Sequence, residues 1–178
     1  MENRARIIFE VLRNIRQVVG RNYPILIKIN SEDFLENGLS IADFLATAAM
    51  LGEAGIDAIE VSGGTFFPGR RMPSRKEITF DRDQAYFRKA SRALKKLGKV
   101  PVILVGGIRS YLLAERLVDE GVMDYIAMCR PFIREPMLIK RWQSGDLRKA
   151  TCISCNGCFA PARSGRGILC VQDIQWKS

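Results

Sequence analysis

Four cysteines near the end of the chain have the spacing of a metal site. Cys152, Cys155 and Cys158 form a C-x2-C-x2-C motif, and Cys170 follows after eleven further residues. Thiolates at this spacing converge on one metal ion or cluster, because a turn brings closely spaced sulfur atoms together. The chain has five cysteines, an odd number that fits a metal site better than a disulfide framework. The residues alone leave an iron–sulfur cluster and zinc both open.

A second chemical pattern lies where two apolar runs end. Gly106 and Gly107 follow one run, and Arg130 follows the next. Consecutive glycines leave backbone N–H groups uncovered, and a helix beginning just beyond adds the positive end of its dipole, which suits a phosphate. The guanidinium of Arg130 offers a forked donor to the same anion. The alternatives are a tight turn that needs glycine and a surface salt bridge of Arg130.

A basic loop is the third candidate. Residues 69–76 include Arg70, Arg71, Arg75 and Lys76, directly after an apolar run. Loops at the ends of strands frequently carry function, so this one is a candidate for attracting an acidic substrate or the phosphates of a nicotinamide cofactor. The alternative is a solvated loop without a ligand.

The composition excludes several kinds of chemistry. The chain has 178 residues, of which 47% are hydrophobic and 26% charged, and it contains no histidine. A Ser-His-Asp triad, a histidine-ligated zinc and a histidine general base are therefore excluded within this sequence. The formal charge is +9, but its basic residues are scattered, which favours a solvated surface or an acidic partner over nucleic acid. Because no apolar run approaches the roughly 18–20 residues of a membrane span, we expect no membrane association.

A repeating order of helix, glycine and short apolar strand must position these residues. Apolar residues at helical spacing precede each glycine, which supplies the left-handed residue that ends a helix. The predicted strands cover residues 25–29, 58–61, 100–105 and 125–128, and a last helix covers residues 133–142. Short, uniformly apolar strands are typical of a parallel sheet that helical crossovers bury on both faces. The fold class is therefore α/β.

Five segments in a fixed order resemble a known family. The sequences ENRAR (2–6), KINSEDF (28–34), IEVSGG (59–64), VGGIR (105–109) and CRPFI (129–133) are similar to the C-terminal half of the NADH:flavin oxidoreductases related to old yellow enzyme. This resemblance implies a TIM barrel with FMN at the carboxyl ends of the strands. By that analogy, residues 1–145 are a parallel (β/α) half-barrel corresponding to the last four βα units, and residues 146–178 are a Cys-rich C-terminal tail.

The resemblance also implies roles for individual residues. Gly106 and Gly107 correspond to the backbone donors to the FMN phosphate, and Cys129 and Arg130 correspond to the pair on the last strand that completes the phosphate site. Lys28 corresponds to a cation directed at the N1/C2 edge of the flavin, where fixed positive charge stabilises the reduced ring. The alternative for Lys28 is a strand-end lysine that reaches solvent.

For the tail, the resemblance points to the branch that includes dienoyl-CoA reductase and trimethylamine dehydrogenase. It implies a [4Fe–4S] cluster held by the four tail cysteines, with zinc and a reduced or vestigial cluster as the alternatives. That branch has three residues between its second and third cysteines, whereas this chain has two, Asn156 and Gly157. Cys129 stands apart from this set, and we interpret it as a small core residue rather than a metal ligand.

The implied function is that of the FMN-binding portion of an NAD(P)H:flavin oxidoreductase, in which a hydride passes through FMN to a small electron-poor acceptor. Members of the family place a substrate-binding histidine pair in the preceding half, so we assign no catalytic residue here. We expect activity to require a complementing N-terminal half-barrel or a homo-oligomer. The alternatives are a non-catalytic half-barrel that binds FMN or phosphate, and a metal or electron-transfer module centred on the cysteines. The expected location is cytoplasmic, without nucleic acid as a partner.

Overall fold

A computed structural model describes residues 2–66 and 71–174. Gly69 and Arg70 of the basic loop, and residues 175–178 of the expected tail, lie outside the described residues. Helices and strands alternate up to the fourth strand, and short helices follow. The elements are α1 (Glu2–Val19), β1 (Leu26–Asn30), α2 (Ile41–Glu53), β2 (Ala58–Ser62), a 3₁₀ turn (Asp81–Asp83), α3 (Arg88–Lys95), β3 (Val102–Leu104), α4 (Tyr111–Asp119), β4 (Tyr125–Ile126), α5 (Arg130–Arg134), α6 (Leu138–Gln143), α7 (Phe159–Arg163) and α8 (Val171–Ile174).

The four strands form one parallel sheet in the order β1-β2-β3-β4. The register places Lys28 beside Glu60, Glu60 beside Ile103, and Ile103 beside Tyr125. Neighbouring parallel strands joined by helical crossovers are the building units of a βα barrel. The structure therefore confirms the α/β class and the four parallel strands.

Two aspartates tie the amino-terminal edge of the sheet in the same way. Asp57 Oδ2 accepts the backbone N–H of Ile25 at 2.7 Å and forms an ion pair with Arg16 of α1, also at 2.7 Å. Asp124 accepts the N–H of the first residue of β3 at 2.8 Å and forms an ion pair with Lys95 of α3. Each carboxylate lies just before one strand, and it binds the start of the preceding strand and the end of the helix that leads into that preceding strand.

Only one face of the sheet is fully covered. The main core lies between the sheet and the helices, where Phe44 and Leu51 of α2 pack with Ile59 and Leu104 of the strands. On the opposite face, Leu26 is 54% exposed and Tyr125 is 59% exposed. The expectation that the strands are buried on both faces is therefore wrong for β1 and β4, because helices cover only the outer side of this sheet.

The predicted last helix, residues 133–142, is also wrong as a single element. Two helices, α5 and α6, cover this region instead. They are separated at Pro136, which has no N–H to donate and disfavours helical geometry in the residue before it. α5 begins at Arg130, shortly after the sheet, and Pro131 in its first turn favours that start. Within the described ranges, no helix combines the length and the apolarity that a membrane span requires.

Candidate functional site

The turn after β3 holds its two glycines against an aromatic ring. Gly106 has a φ of +132° and Gly107 a φ of +70°, and both face Tyr86. A Cβ atom built on Gly106 or Gly107 would lie 3.1 Å or 2.9 Å from this ring. The turn therefore requires glycine for its backbone geometry and for the close approach of Tyr86.

This turn also leaves backbone donors free. In the described part of the chain, no acceptor receives the backbone N–H of Gly107 or of Ile108. The start of α4 is different, because Gln84 Oε1 accepts from the amides of Arg109 and Ser110 at 2.7 and 3.1 Å, and Ser110 Oγ accepts from the amide of Leu113 at 3.3 Å. An anion at this turn would therefore meet the two free amides rather than the helix terminus, which Ser110 already caps.

Arg130 is buried rather than part of a surface salt bridge. Its residue is only 9% exposed, and its Nη1 donates to the carbonyl oxygen of Arg75 and to Asn156 Oδ1, both at 2.7 Å. A longer bond of 3.4 Å reaches the carbonyl of Ser154. Within the described residues, Nε and Nη2 donate to no protein atom, so part of the guanidinium fork is available to a ligand.

A cleft of about 190 Å³ at the carboxyl ends of the strands gathers the predicted residues. Lys28, Gly107, Cys129 and Arg130 line it, and Gly106 is adjacent in the chain. The tail and the basic loop close the cleft through Ser154, Phe159, Pro73 and Ser74. Cys129 is exposed, so the expectation that it is a core residue is wrong. The binding roles of all five residues remain predictions.

Lys28 has a partner that sequence reasoning missed. Its Nζ forms an ion pair with Glu60 Oε1 on the next strand. The two residues are paired in register, and the Lys28 side chain is 53% exposed on the open face of the sheet. A charged residue within an apolar strand, as Glu60 is, indicates a functional or paired side chain. The strand register that places Glu60 beside Lys28 is not visible in the sequence.

The four tail cysteines line one small cavity beside α5 and α8. The sulfur atoms of two of them accept hydrogen bonds, Cys155 from the Gly157 amide at 3.3 Å and Cys170 from Arg134 Nη1 at 3.8 Å. Burial is the main cause that raises the pKa of Cys158. Among the described residues, however, no three His, Cys, Asp or Glu side chains are placed to hold a metal ion.

The tail is fastened to the strand ends by arginines and an asparagine. Arg109 Nη1 donates to the carbonyl of Cys152 at 2.7 Å. Asn156, which accepts from Arg130, donates through Nδ2 to the carbonyl of Ser74 at 2.8 Å. The cysteine segment, the basic loop and the cleft are therefore in direct contact, and the proposed domain boundary after residue 145 remains a prediction.

Comparison with known proteins identifies the family. Residues 1–148 match the NADH:flavin oxidoreductase / NADH oxidase family. The chain belongs to this family. An NADH oxidase of Thermoanaerobacter brockii is 36% identical over 164 residues, which cover 89% of this chain and 24% of that protein. An NADH-dependent flavin oxidoreductase of Talaromyces variabilis is 33% identical over 144 residues, which cover 78% of this chain and 34% of that protein.

A solved structure shows the same architecture. A 2-naphthoyl-CoA reductase in complex with 2-naphthoyl-CoA matches with a TM-score of 0.78 and 29% identity, over 94% of this chain and 25% of that one. The chain thus spans about a quarter of the length of this reductase and of the bacterial NADH oxidase. Family and fold together confirm the resemblance and the interpretation of the sheet as part of a TIM barrel.

Proposed function

We propose that this chain is the FMN-phosphate-binding portion of an NAD(P)H:flavin oxidoreductase. The observation that carries the proposal is the cleft that gathers Lys28, Gly107 and Arg130 in a chain of this family. Bound FMN would supply ene-reductase-type chemistry, the relay of a hydride from NAD(P)H to a small electron-poor acceptor. The residues of this chain bind and orient the cofactor, and none of them is assigned a catalytic role.

The donors in the cleft fit a phosphate group. Two kinds of N–H donor face the cleft: the free amides of Gly107 and Ile108, and the unused nitrogens of Arg130. The guanidinium of Arg130 also carries a positive charge. Ligand pockets that enclose a small molecule usually measure about 300–1,000 Å³. A cleft of about 190 Å³ therefore accommodates the phosphate end of FMN rather than the whole cofactor.

Lys28 would place positive charge beside the flavin. Glu60 neutralises part of that charge through its ion pair with Lys28. The pair lies on the open face of the sheet, which is the interior face in a complete barrel. We assign to Lys28 the stabilisation of negative charge on the reduced ring, and to Glu60 the control of how much charge Lys28 offers.

The cysteine cavity supports a second component, a [4Fe–4S] cluster held by Cys152, Cys155, Cys158 and Cys170. Around a single zinc ion, Zn–S bonds of about 2.3 Å bring all four sulfur atoms close together. A cubane cluster separates its thiolates further, because four iron atoms lie between them. The four cysteines that line one cavity are the observation that supports this ligand set.

The open face of the sheet supports completion by other βα units. Leu26 and Tyr125 are exposed on β1 and β4, and both strands are edges of the sheet. On α1, Ile7, Val11 and Ile15 form an exposed apolar stripe at helical spacing. We propose that a complementing N-terminal half-barrel covers these surfaces. Light scattering of the purified chain distinguishes this from self-association, since a stable dimer would identify a second copy as the partner.

Titration of the chain with FMN, followed by flavin fluorescence, tests the proposal. Gly107→Asp places a carboxylate at the phosphate donors, and we expect FMN binding to be lost. Gly107→Ala introduces the same steric contact with Tyr86 without charge, so the difference between the two variants isolates electrostatics. Gly98→Asp is the matched control, because Gly98 also has a positive φ, +63°, and lies in open space between α3 and β3. Unchanged FMN affinity in Gly107→Asp would refute the assignment and favour the cysteine module alone.

A further inference from the structure

Two arginines of the basic loop share an aromatic surface. The guanidinium carbon of Arg75 lies 4.4 Å from the ring centroid of Tyr86, 5.5 Å from that of Phe87 and 5.9 Å from that of Phe34. The guanidinium carbon of Arg71 lies 5.3 Å from the same Phe34 ring. Cation–π contacts of this kind hold both charges in place but do not neutralise them.

Neither charge has a carboxylate partner in the part of the chain that the structure describes. The Nε of Arg75 is buried without a hydrogen-bond acceptor. Burial and then the neighbouring Arg71 lower the pKa of Arg75. A partly buried guanidinium beside a second, exposed one destabilises the protein unless an anion joins them.

Two other arginines of the described chain show how the protein pairs this side chain with a carboxylate. Arg16 forms an ion pair with Asp57, and Arg141 forms one with Glu135 at 2.9 Å. Arg82 lies over the ring of Phe80 at 4.6 Å, as Arg75 lies over Tyr86, but it stands between two aspartates in an exposed turn. Arg71 and Arg75 differ from Arg16 and Arg141 because no carboxylate among the described residues pairs with them.

The pair lies on the functional edge of the sheet, next to the candidate phosphate cleft. The carbonyl of Arg75 accepts from Arg130 Nη1, and the Tyr86 ring that stacks on Arg75 contacts Gly107. Phe66, which is 78% exposed, stands at the other end of the same loop. Two residues before it lies Gly64, where an added Cβ atom would overlap the carbonyl oxygen of Arg71, so this end of the loop lies close to Arg71. Arginines beside an exposed aromatic ring are the donors that phosphate groups and a base require.

We propose that Arg71 and Arg75 form a second anion site, separate from the FMN-phosphate cleft, which binds the diphosphate of a nucleotide. The ligand we assign is the hydride donor, so its identity rests on the proposed function. The guanidinium groups bind the phosphate oxygens, and the exposed ring of Phe66 offers a surface to the remainder of the nucleotide.

Calorimetric titration of the full chain with ADP tests the site. We expect Arg75→Met and Arg71→Met each to raise the dissociation constant for ADP about tenfold or more, since each removes a charged donor. Arg82→Met, the matched arginine–phenylalanine pair, should leave the dissociation constant unchanged within about twofold. Inorganic pyrophosphate should follow the same pattern, and adenosine should bind weakly in all variants.

The two proposals fail separately in this experiment. If FMN binds but ADP binds equally well to wild type and to Arg75→Met, or does not bind at all, the anion site is overturned while the proposed function stands. If ADP binding depends on Arg75 but FMN does not bind, the anion site stands and the proposed function fails. Should Arg75→Met unfold, Arg71→Met carries the test, because Arg71 is exposed.

Discussion

Arg130 Nη1 lies 2.7 Å from Asn156 Oδ1, and through this contact the start of α5 holds the Cys-rich tail. The same nitrogen lies 2.7 Å from the carbonyl of Arg75 in the basic loop. One buried guanidinium thus joins three segments that are distant in sequence. A ligand that binds the remaining nitrogens of this guanidinium would therefore be linked through Arg130 to both the tail and the loop.

Removal of the Asn156 side chain should destabilise the protein. Asn156 has a φ of +59°, so Asn156→Gly deletes the amide without backbone strain. We expect the free energy of unfolding in urea to fall by about 1–3 kcal/mol, because a buried charged donor loses its acceptor. Asn37→Gly is the matched control, since Asn37 has a φ of +58° and is exposed. Equal effects of both substitutions would show that the contact with Arg130 contributes nothing.

Asp57 and Asp124, at the amino-terminal ends of the strands, should make the free energy of unfolding depend on pH in the acid range. The Ile25 amide and then Arg16 lower the pKa of Asp57. For Asp124, burial raises the pKa, but Lys95 and the amide of β3 lower it by more. A folded-state pKa below the unfolded value of about 3.9 stabilises the protein above that pH, and the stabilisation is lost as the pH falls through the folded pKa.

Asp57→Asn and Asp124→Asn should therefore be less stable than wild type at neutral pH. Denaturation between pH 6 and pH 2 should show this difference shrinking below about pH 4. Asp119→Asn, at an exposed position at the end of α4, should follow wild type throughout. A difference that is as large at pH 2 as at pH 6 would contradict the role of charge at these two positions.

The repeated unit was visible in the sequence, whereas the contacts that complete the site were not. Gly55 and Gly121 end helices with positive φ, as the pattern of glycine before a strand predicts. The aspartates that follow them join adjacent strands by long-range hydrogen bonds, which local patterns do not specify. The role of Glu60 likewise depends on the strand register, which pairs it with Lys28.

The tail cysteines should hold iron together with sulfide. After anaerobic reconstitution, we expect broad visible absorbance with iron and acid-labile sulfide in wild type and in Cys129→Ala. Cys155→Ala should lose both, because it removes a thiolate from the cavity. Zinc without iron in the wild type, or an equal loss of iron in Cys129→Ala, would contradict the assignment of a cluster to the tail.

Charge at the Lys28–Glu60 pair should set the potential of bound FMN. Lys28→Met should lower the two-electron midpoint potential, because it removes the cation that stabilises the reduced ring. Glu60→Gln should raise the potential, because it frees that cation from its partner. Shifts of about 30 mV or more, each equivalent to a tenfold change in the two-electron equilibrium, should appear in anaerobic redox titration. Shifts of the same sign in both variants would contradict opposite roles.

The sequence predicted where the candidate cleft lies, but not the hydrogen bonds that shape it. The ends of β3 and β4 and Lys28 do line one cavity. The hydrogen bonds of Gln84 to the two amides before α4, and the contact of Arg130 with the tail, depend on side chains that approach from distant segments. Patterns within a single segment do not specify such contacts, so these features became visible only in the folded structure.

Comparison of FMN with riboflavin tests the central claim most directly, because the two molecules differ only in the phosphate group. Both affinities can be measured on the same sample of the full chain by flavin fluorescence. The account predicts that FMN binds at least about tenfold more tightly than riboflavin, with the preference lost at high salt and in Gly107→Asp. Equal affinities for FMN and riboflavin would contradict a phosphate site formed by Gly107, Ile108 and Arg130.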